Sequence, residues 1–366
     1  MSNNTTEETH MAQSSQQQAN AVFQGGGVLG IGLIGALAVM EDQGYTFAHV
    51  AGTSAGAIAA SLVAAGYSAA QVRDIINGLP FDKMMDTDLL SKLTLPLSVP
   101  FHLLHDLGVF EGNYLEDHIR TYLQQAPGGP ITTFGQLKDA TATDERFRYR
   151  LQVIVTDLTR QQMVILPRDA EQYGVHPDDV DVAHAVRMSM SIPLFFRAVR
   201  WSDSVIVDGG QTSSFPLWLF DQGDAPPPLP TIGFKLVQGA QQPAGPQGTD
   251  LTAKVAVAKN VVLGPMTEII AIINTSSNAL DALYLSDDRF AQTITIDTLG
   301  IPPADFLIGQ PDKDRLFASG QAAAREFLAH WDADEFNRRY RGGAGAPGAP
   351  AGPTRRDRVM PRKPGA

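Results

Sequence analysis

The sequence contains no cysteine among its 366 residues. Disulfide bonds, thiolate zinc sites and cysteine nucleophiles are therefore excluded. Basic residues are also scarce, because 28 Lys and Arg stand against 39 Asp and Glu, a formal net charge of −11 at pH 7. A nucleic-acid-binding protein needs a basic face to meet the phosphates, so we predict no nucleic-acid partner. The same balance disfavours purely electrostatic attachment to anionic lipid.

The chain also lacks the signals that would send it to or through a membrane. Its first residues have neither the basic start nor the apolar core of a secretory signal. Residues 11–40 carry no charge, but Gln24 and closely spaced glycines interrupt the apolar run, which is unlike a membrane-spanning helix. We predict a cytoplasmic protein without signal peptide or transmembrane helix, and peripheral membrane contact stays open.

Composition divides the chain into three parts. Residues 1–20 are polar and predicted to be disordered, and the Gly/Ala/Pro-rich, finally basic tail 342–366 is predicted to be disordered too. Between them, 21–341 alternates strand and helix patterns, which indicates one α/β domain with a mainly parallel central sheet covered on both faces. Inside it, 79–110 is apolar but broken by prolines, which favours a flap.

What is present is, first, the stretch AGTSAGAIAA, residues 51–60. Ser54 stands between Gly52 and Gly56, after a predicted strand and before a helix of small residues. A G-x-S-x-G turn of this kind holds the serine in a strained conformation and exposes its hydroxyl. The amino terminus of the following helix favours developing negative charge there. The alternative is an ordinary serine cap, which many helices have.

The second stretch is FQGGGVLG, residues 23–30. The consecutive amides of Gly25, Gly26 and Gly27 can converge on one anion, as an oxyanion hole requires. With Gly30, the same glycines match the G-x-G-x-x-G dinucleotide fingerprint. That fingerprint requires an acidic residue at the end of the second strand, where this chain has GTSAG instead. A phosphate-binding P-loop is excluded because no Gly-Lys-Ser/Thr follows.

The third stretch is VIVDGG, residues 205–210. Asp208 follows an apolar strand and precedes Gly209 and Gly210. One interpretation is a turn in which the carboxylate binds the backbone ahead of it. The second is a general base whose pKa is raised by burial. The presence of a serine turn and a glycine loop in the same chain favours the base.

In this order, GGGVLG, GTSAG, RMSMSIPLFFRAV (187–199) and VDGG resemble the patatin-like phospholipase family, over about residues 21–331. The resemblance implies a three-layer α/β/α fold and a serine lipid acyl hydrolase of the phospholipase A or lysophospholipase type. It also implies a catalytic dyad of Ser54 and Asp208 without histidine, an oxyanion hole from the amides of the glycine loop, and no metal or cofactor. The substrate would be a phospholipid or another acyl-ester lipid.

Two departures from the family pattern and three competing hypotheses remain. The family often has an acidic residue where Gln24 stands and a basic one where Leu29 stands. An ordinary α/β-hydrolase would use a Ser-Asp-His triad, for which His330 has the right place in the chain, whereas His184 is expected only to pack. The second hypothesis is a dinucleotide-binding protein, and the third is a non-catalytic lipid-binding protein.

Overall fold

The structure is a computed structural model. Part of the sequence-based organisation lies outside the residues it describes, namely the predicted tail, most of the predicted flap and most of the first 20 residues. The described residues are 17–79, 108–110, 112–220, 228–239, 281, 290–303, 305–306 and 308–338.

Strands and helices alternate along the described chain, as predicted. The strands are β1 (Gln17–Phe23), β2 (Tyr45–Thr53), β3 (Gly108–Phe110), β4 (Leu151–Asp157), β5 (Gln162–Leu166), β6 (Leu194–Phe196), β7 (Val199–Trp201), β8 (Ser204–Asp208), β9 (Thr231–Val237) and β10 (Thr293–Asp297). The helices are α1 (Gly30–Asp42), α2 (Ala55–Ala64), α3 (Ala69–Gly78), α4 (Asn113–Gln124), α5 (Val182–Ser189), α6 (Gln310–His330) and α7 (Ala333–Phe336).

Eight of the strands form one sheet in the order β10-β9-β1-β2-β4-β8-β7, with β5 also paired to β4. The pairs from β10 to β4 along this order are parallel, and β5, β7 and β8 pair antiparallel to their neighbours. The prediction of an α/β fold with a mainly parallel central sheet is therefore confirmed.

Apolar side chains pack on both faces of this sheet, as a layered α/β arrangement requires. The larger core joins helices α1 to α6 to one face, through alternate strand residues such as Phe23 and Val153. The intervening residues Val22 and Ile154 face the other side, where they pack with the segment 215–220. A strand buried on both faces need not alternate apolar and polar side chains, and all seven residues of LQVIVTD in β4 are buried.

Local signals set the element boundaries. Helix α3 begins after Ser68, whose hydroxyl accepts from the Gln71 amide while the Gln71 side chain accepts from the Ser68 amide. Strand β1 begins at Gln17, so the prediction that residues 17–20 are disordered is wrong. Ala19 and Asn20 are fully buried within that strand. The polar neighbours Gln17 and Gln18 gave no indication of a strand, although this strand pairs with β2 from its first residue.

Strand β4 meets two partners along a single edge. Its first half, ending at Ile154, pairs with β2, and its second half, beginning at Val155, pairs with β8. Both partners must lie on the same edge, because β5 pairs with β4 across both halves on the opposite edge. Strand β2 runs parallel to β4 and β8 runs antiparallel, so the carboxyl ends of β2 and β8 point at each other.

Candidate active site

Ser54 follows the last residue of β2 and precedes the first residue of α2. Its backbone has φ 53° and ψ −125°, a conformation that costs energy for any residue other than glycine. The flanking glycines make the tight turn possible. A Cβ on Gly52 would lie 2.2 Å from the Gly56 carbonyl oxygen, and one on Gly56 would lie 2.2 Å from the Phe23 carbonyl oxygen. The serine is therefore held on a strained turn at the amino terminus of a helix.

Asp208 is the last residue of β8 and is 5% exposed. Its Oδ1 accepts a hydrogen bond from the Gly210 amide at 2.7 Å, as in the predicted turn. Its Oδ2 is buried and accepts no hydrogen bond of normal geometry from the described residues. Burial raises the pKa of Asp208 to about 6, although the Ser54 hydroxyl and the Gly210 amide both lower it.

The junction along β4 brings Ser54 and Asp208 together. Thr53 pairs with Ile154, and Asp208 pairs with the next residue of β4, Val155. A Cβ on Gly209 would lie 3.0 Å from Thr53 Cγ2, which shows how closely the two strand ends approach. The Ser54 hydroxyl is near enough to lower the Asp208 pKa. That hydroxyl donates its hydrogen bond to Met190 Sδ at 3.4 Å.

Two residues that the sequence did not single out lie at this junction. Ser189 Oγ accepts from the Ser54 amide at 2.9 Å and donates to the Ile154 carbonyl oxygen at 2.6 Å. The Ser191 carbonyl oxygen accepts from the Asp208 amide at 2.9 Å. Residues 189–191, at and just beyond the end of α5, therefore hold both strand ends. The stretch RMSMS that contains these residues belongs to the family pattern, and nothing in its composition indicates these contacts.

The glycine loop lies beside the serine. A Cβ on Gly25 would lie 3.3 Å from Ser54 Cβ, and Gly27 has φ 56° with the Pro303 carbonyl oxygen 2.1 Å from where its Cβ would be. The Gly25 amide donates to the Ser214 carbonyl oxygen at 2.9 Å, so it is already engaged. The amides of Gly26 and Gly27 have no acceptor among the described residues.

The remaining glycines of the three motifs serve close packing. A Cβ on Gly30 would lie 3.2 Å from Ala55 Cβ, at the start of α2. A Cβ on Gly209 would lie 2.2 Å from the Ile154 carbonyl oxygen, and one on Gly210 would lie 3.0 Å from Asp208 Oδ1. These close approaches allow the glycine loop, the serine turn and the aspartate turn to share one small volume.

The two residues that depart from the family pattern, Gln24 and Leu29, have structural roles: Gln24 makes hydrogen bonds and Leu29 packs in the core. Gln24 Oε1 accepts from the Leu236 amide at 2.6 Å, and its Nε2 donates to Ser214 Oγ at 3.5 Å. An amide side chain can make both contacts, because it has an acceptor and a donor. Leu29 is 6% exposed and belongs to the main core. A cation at position 29 would therefore be buried.

The histidines of the described chain lie elsewhere. His184 Nδ1 contacts Glu116 Oε2 at 3.1 Å, and His330 is exposed at the end of α6. His49 contacts the Asn20 side chain and the Phe147 carbonyl oxygen. Within the described residues, no histidine hydrogen-bonds Ser54 or Asp208.

Sites of a different kind are absent from the part of the chain that the structure describes. It contains no group of three or more His, Cys, Asp or Glu placed to hold a metal ion. None of its helices combines the length and apolar character needed to cross a bilayer. An open cavity is lined by residues that include Gln17, Tyr45 and Trp331. It lies where β1 and β2 begin, whereas Ser54 lies where β2 ends.

Comparison with known proteins gave matches to both sequences and structures. The sequence model of a family described as patatin-like phospholipase matches residues 21–221. The uncharacterized protein YqhO of Bacillus subtilis (strain 168) is 32% identical over 316 residues, 85% of this chain and 98% of the relative. The probable lipid hydrolase 463L of Invertebrate iridescent virus 6 is 22% identical over 196 residues, 54% of this chain and 61% of the relative. The crystal structure of VipD from Legionella pneumophila has a TM-score of 0.48 at 18% identity, with 86% of this chain and 67% of that chain covered.

Proposed function

Because the chain belongs to the patatin-like phospholipase family, as its motifs predicted, we propose that it is a serine lipid acyl hydrolase with a Ser54–Asp208 dyad. The observation that carries this proposal is the junction on β4. It sets a serine in a strained φ of 53° beside a buried carboxylate with one unpartnered oxygen. The substrate class is an acyl-ester lipid such as a phospholipid or lysophospholipid.

In the acylation half, Ser54 Oγ attacks the carbonyl carbon of the ester and its proton passes to Asp208 Oδ2. The carbonyl π electrons move to oxygen and form a tetrahedral oxyanion. When the intermediate collapses, the bond to the alcohol oxygen breaks, and the leaving alcohol takes the proton from Asp208. The acyl group is then esterified to Ser54.

In the deacylation half, a water molecule gives a proton to Asp208 Oδ2 and attacks the acyl carbon. The second tetrahedral intermediate collapses by breaking its bond to Ser54 Oγ, which recovers the proton from Asp208. The fatty acid leaves and the enzyme returns to its starting state. The same carboxylate therefore acts as base and then as acid in each half, without a histidine.

The oxyanion hole of this scheme uses the amides of Gly26 and Gly27. Their lack of an acceptor among the described residues supports this role, whereas Gly25 donates to Ser214 and supports the shape of the loop instead. The Ala55 amide, which follows the nucleophile, also has no acceptor among the described residues and can add a third donor. Donors that are already oriented before the reaction stabilise the developing negative charge most effectively.

A pKa of about 6 suits Asp208 to its role. A carboxylate with an ordinary pKa is a weak base, and burial strengthens it while leaving it ionised at neutral pH. The Ser54 hydroxyl is close enough to lower the Asp208 pKa, and Asp208 Oδ2 accepts no hydrogen bond from the described residues. This combination supports direct proton transfer from serine to aspartate.

A fluorophosphonate probe tests the nucleophile, because it reacts with activated serines and leaves a stable adduct. Peptide mapping of the labelled protein should find the adduct on Ser54. Ser54→Ala should abolish both labelling and ester hydrolysis, and its melting temperature should stay close to that of the wild type. Ser61→Ala is the matched control, since it removes a buried serine hydroxyl that bonds only the Ile58 carbonyl oxygen within α2 and should leave the protein labelled.

The assay should combine this probe with a panel of phospholipids, lysophospholipids and neutral acyl esters, with products identified by mass spectrometry. Release of fatty acid by the wild type and not by Ser54→Ala is the expected result. An adduct that maps to another serine, or hydrolysis that survives Ser54→Ala, would refute the assignment.

A further inference from the structure

Another buried aspartate, Asp281, bonds the segment that follows Asp208 in the sequence. Asp281 is 3% exposed and is far from every motif in the sequence. Its Oδ1 accepts from Ser213 Oγ at 2.6 Å. Its Oδ2 accepts from the Ser214 amide at 2.9 Å, from Ser214 Oγ at 3.2 Å and from the Phe215 amide at 2.8 Å. All four donors belong to residues 213–215, which we call the bridging segment.

The bridging segment in turn holds two parts of the candidate site. The Ser214 carbonyl oxygen accepts from the Gly25 amide at 2.9 Å, which fixes the glycine loop. The Ser213 carbonyl oxygen accepts from Thr53 Oγ1 at 3.1 Å, which fixes the residue before the nucleophile. The segment also follows Asp208 by a few residues, so it connects all three motifs.

We propose that Asp281 is a positioning residue for catalysis: by holding the bridging segment, it sets the glycine loop against the nucleophilic serine. The assignment rests on the proposed hydrolase function. Asp281 does not touch the reacting atoms, and it acts through the Ser214–Gly25 and Ser213–Thr53 hydrogen bonds.

A carboxylate suits this role because the segment offers four donors to one point. A neutral acceptor with a single oxygen could not satisfy them all. Burial raises the pKa of Asp281, while the bonds from Ser213, Phe215 and Ser214 lower it. Lys235 is close enough for its charge to interact with Asp281, which compensates part of the buried negative charge. Removing the carboxylate would leave the buried amides of Ser214 and Phe215 without an acceptor, so the segment should shift.

The experiment compares Asp281→Ala with Asp281→Asn. An oxyanion hole that has moved by a fraction of an ångström loses transition-state stabilisation and not ground-state binding. We therefore expect Asp281→Ala to lower kcat by about 10- to 100-fold and to leave KM within about threefold. In Asp281→Asn, one oxygen can still accept from both backbone amides, so kcat should recover to within about fivefold of the wild type.

Asp157→Ala is the matched control for loss of a buried carboxylate. Asp157 is fully buried and bonds Tyr173 and the Arg160 amide, away from the glycine loop. It should destabilise the protein as Asp281→Ala does and leave kcat within about threefold of the wild type. If Asp281→Ala melts below the assay temperature, Thr53→Val breaks the bond at the far end of the bridging segment and should show the same loss of kcat at unchanged KM.

The outcomes separate this proposal from the function on which it rests. If wild-type protein does not label at Ser54 with a fluorophosphonate, the hydrolase assignment fails first. If the wild type labels and turns over, but Asp281→Ala keeps its kcat or loses only as much as Asp157→Ala, the positioning role is overturned. Loss of kcat in Asp281→Ala with recovery in Asp281→Asn supports it.

Discussion

Asp157 and Asp208 end adjacent antiparallel strands, both are buried, and their surroundings give them opposite properties. Asp157 accepts from the Tyr173 hydroxyl at 2.7 Å through Oδ2 and from the Arg160 amide at 2.9 Å through Oδ1. Asp208 accepts a hydrogen bond from the Gly210 amide through Oδ1, and its Oδ2 accepts none from the described residues.

Their acidities follow from these contacts. Burial alone would raise the pKa of Asp157, but hydrogen bonds from Arg160 and Tyr173 bring it below its ordinary value. Burial raises the pKa of Asp208 to about 6, because the nearby Ser54 hydroxyl and the hydrogen bond from the Gly210 amide offset only part of this effect. We infer that a buried aspartate serves as a structural anchor when its oxygens are occupied, and that it can act as a base when one oxygen is left open to a proton from the serine.

The largest effect is expected at the unoccupied oxygen. Asp208→Asn keeps the size and shape of the side chain but removes the group that accepts the serine proton. It should lower kcat by at least about 10³-fold, as measured with a soluble ester. A variant that stays folded and retains more than a tenth of the wild-type rate would contradict the assignment of Asp208 as the base.

The same variant should gain stability relative to the wild type as pH rises. A carboxyl whose pKa is raised on folding stabilises the fold below its ordinary pKa of 3.8, and this contribution is lost as pH rises through about 6. The difference between these pKa values corresponds to about 3 kcal/mol. Asp208→Asn cannot ionise, so its melting temperature relative to wild type should increase between pH 4 and pH 8. A constant difference would mean that Asp208 is not a buried acid of raised pKa.

The pH profile of the wild type gives a second comparison. Since only ionised Asp208 can accept the serine proton, kcat/KM should be half-maximal near pH 6 and should fall about tenfold per pH unit below it. Asp157 should leave no trace in this profile, because its pKa lies below the ordinary value. Stopped assays in buffers of constant ionic strength measure the profile. A plateau that continues unchanged to pH 5 would contradict the raised pKa.

The occupied carboxylate should affect stability and not turnover. Asp157→Ala leaves a buried hydroxyl of Tyr173 and a backbone amide of Arg160 without their acceptor, which should cost about 2–4 kcal/mol of unfolding free energy. Denaturant unfolding measures this loss, and the rate per folded molecule should stay within about threefold. If Asp157→Ala lowered kcat as far as Asp208→Asn does, occupancy of the oxygens would not explain the contrast.

The sequence was informative where a residue's role depends on its neighbours along the chain. The strained Ser54 turn needs glycines at fixed spacing, and the apolar run VIV before Asp208 is typical of a strand, so both were predictable. The family was also identified correctly from the order of four short motifs. The start of β1 was missed because Gln17 and Gln18 have polar side chains, and they join the sheet through pairing with β2.

The contacts that complete the site could not be predicted, because they depend on distant parts of the chain. Ser189 reaches Ser54 across 135 residues, and Asp281 reaches Ser213 across 68. No periodicity or local motif identifies such partners. The hydrogen bond from the Gly25 amide to the Ser214 carbonyl oxygen is another contact between distant parts of the chain. Of the three glycines in the predicted oxyanion loop, only Gly26 and Gly27 therefore have amides without an acceptor among the described residues.

The smallest effects are expected when histidines are replaced. These variants test whether catalysis uses a Ser-Asp dyad or a Ser-Asp-His triad. His184 contacts Glu116 on α4, and His330 lies exposed at the end of α6, so neither is assigned a proton-transfer step. In a triad, the imidazole carries the proton between serine and its acceptor, and its loss costs several orders of magnitude. In the proposed dyad, Asp208 accepts that proton directly.

His184→Ala and His330→Ala should therefore each keep kcat within about tenfold of the wild type when assayed beside Asp208→Asn on one ester, with melting temperatures recorded for all three. His184→Ala is expected to lose some stability with its Glu116 contact, which separates a structural cost from a chemical one. A folded histidine variant that falls as far as Asp208→Asn would replace the dyad with a triad, and the unoccupied Oδ2 of Asp208 would then need another explanation.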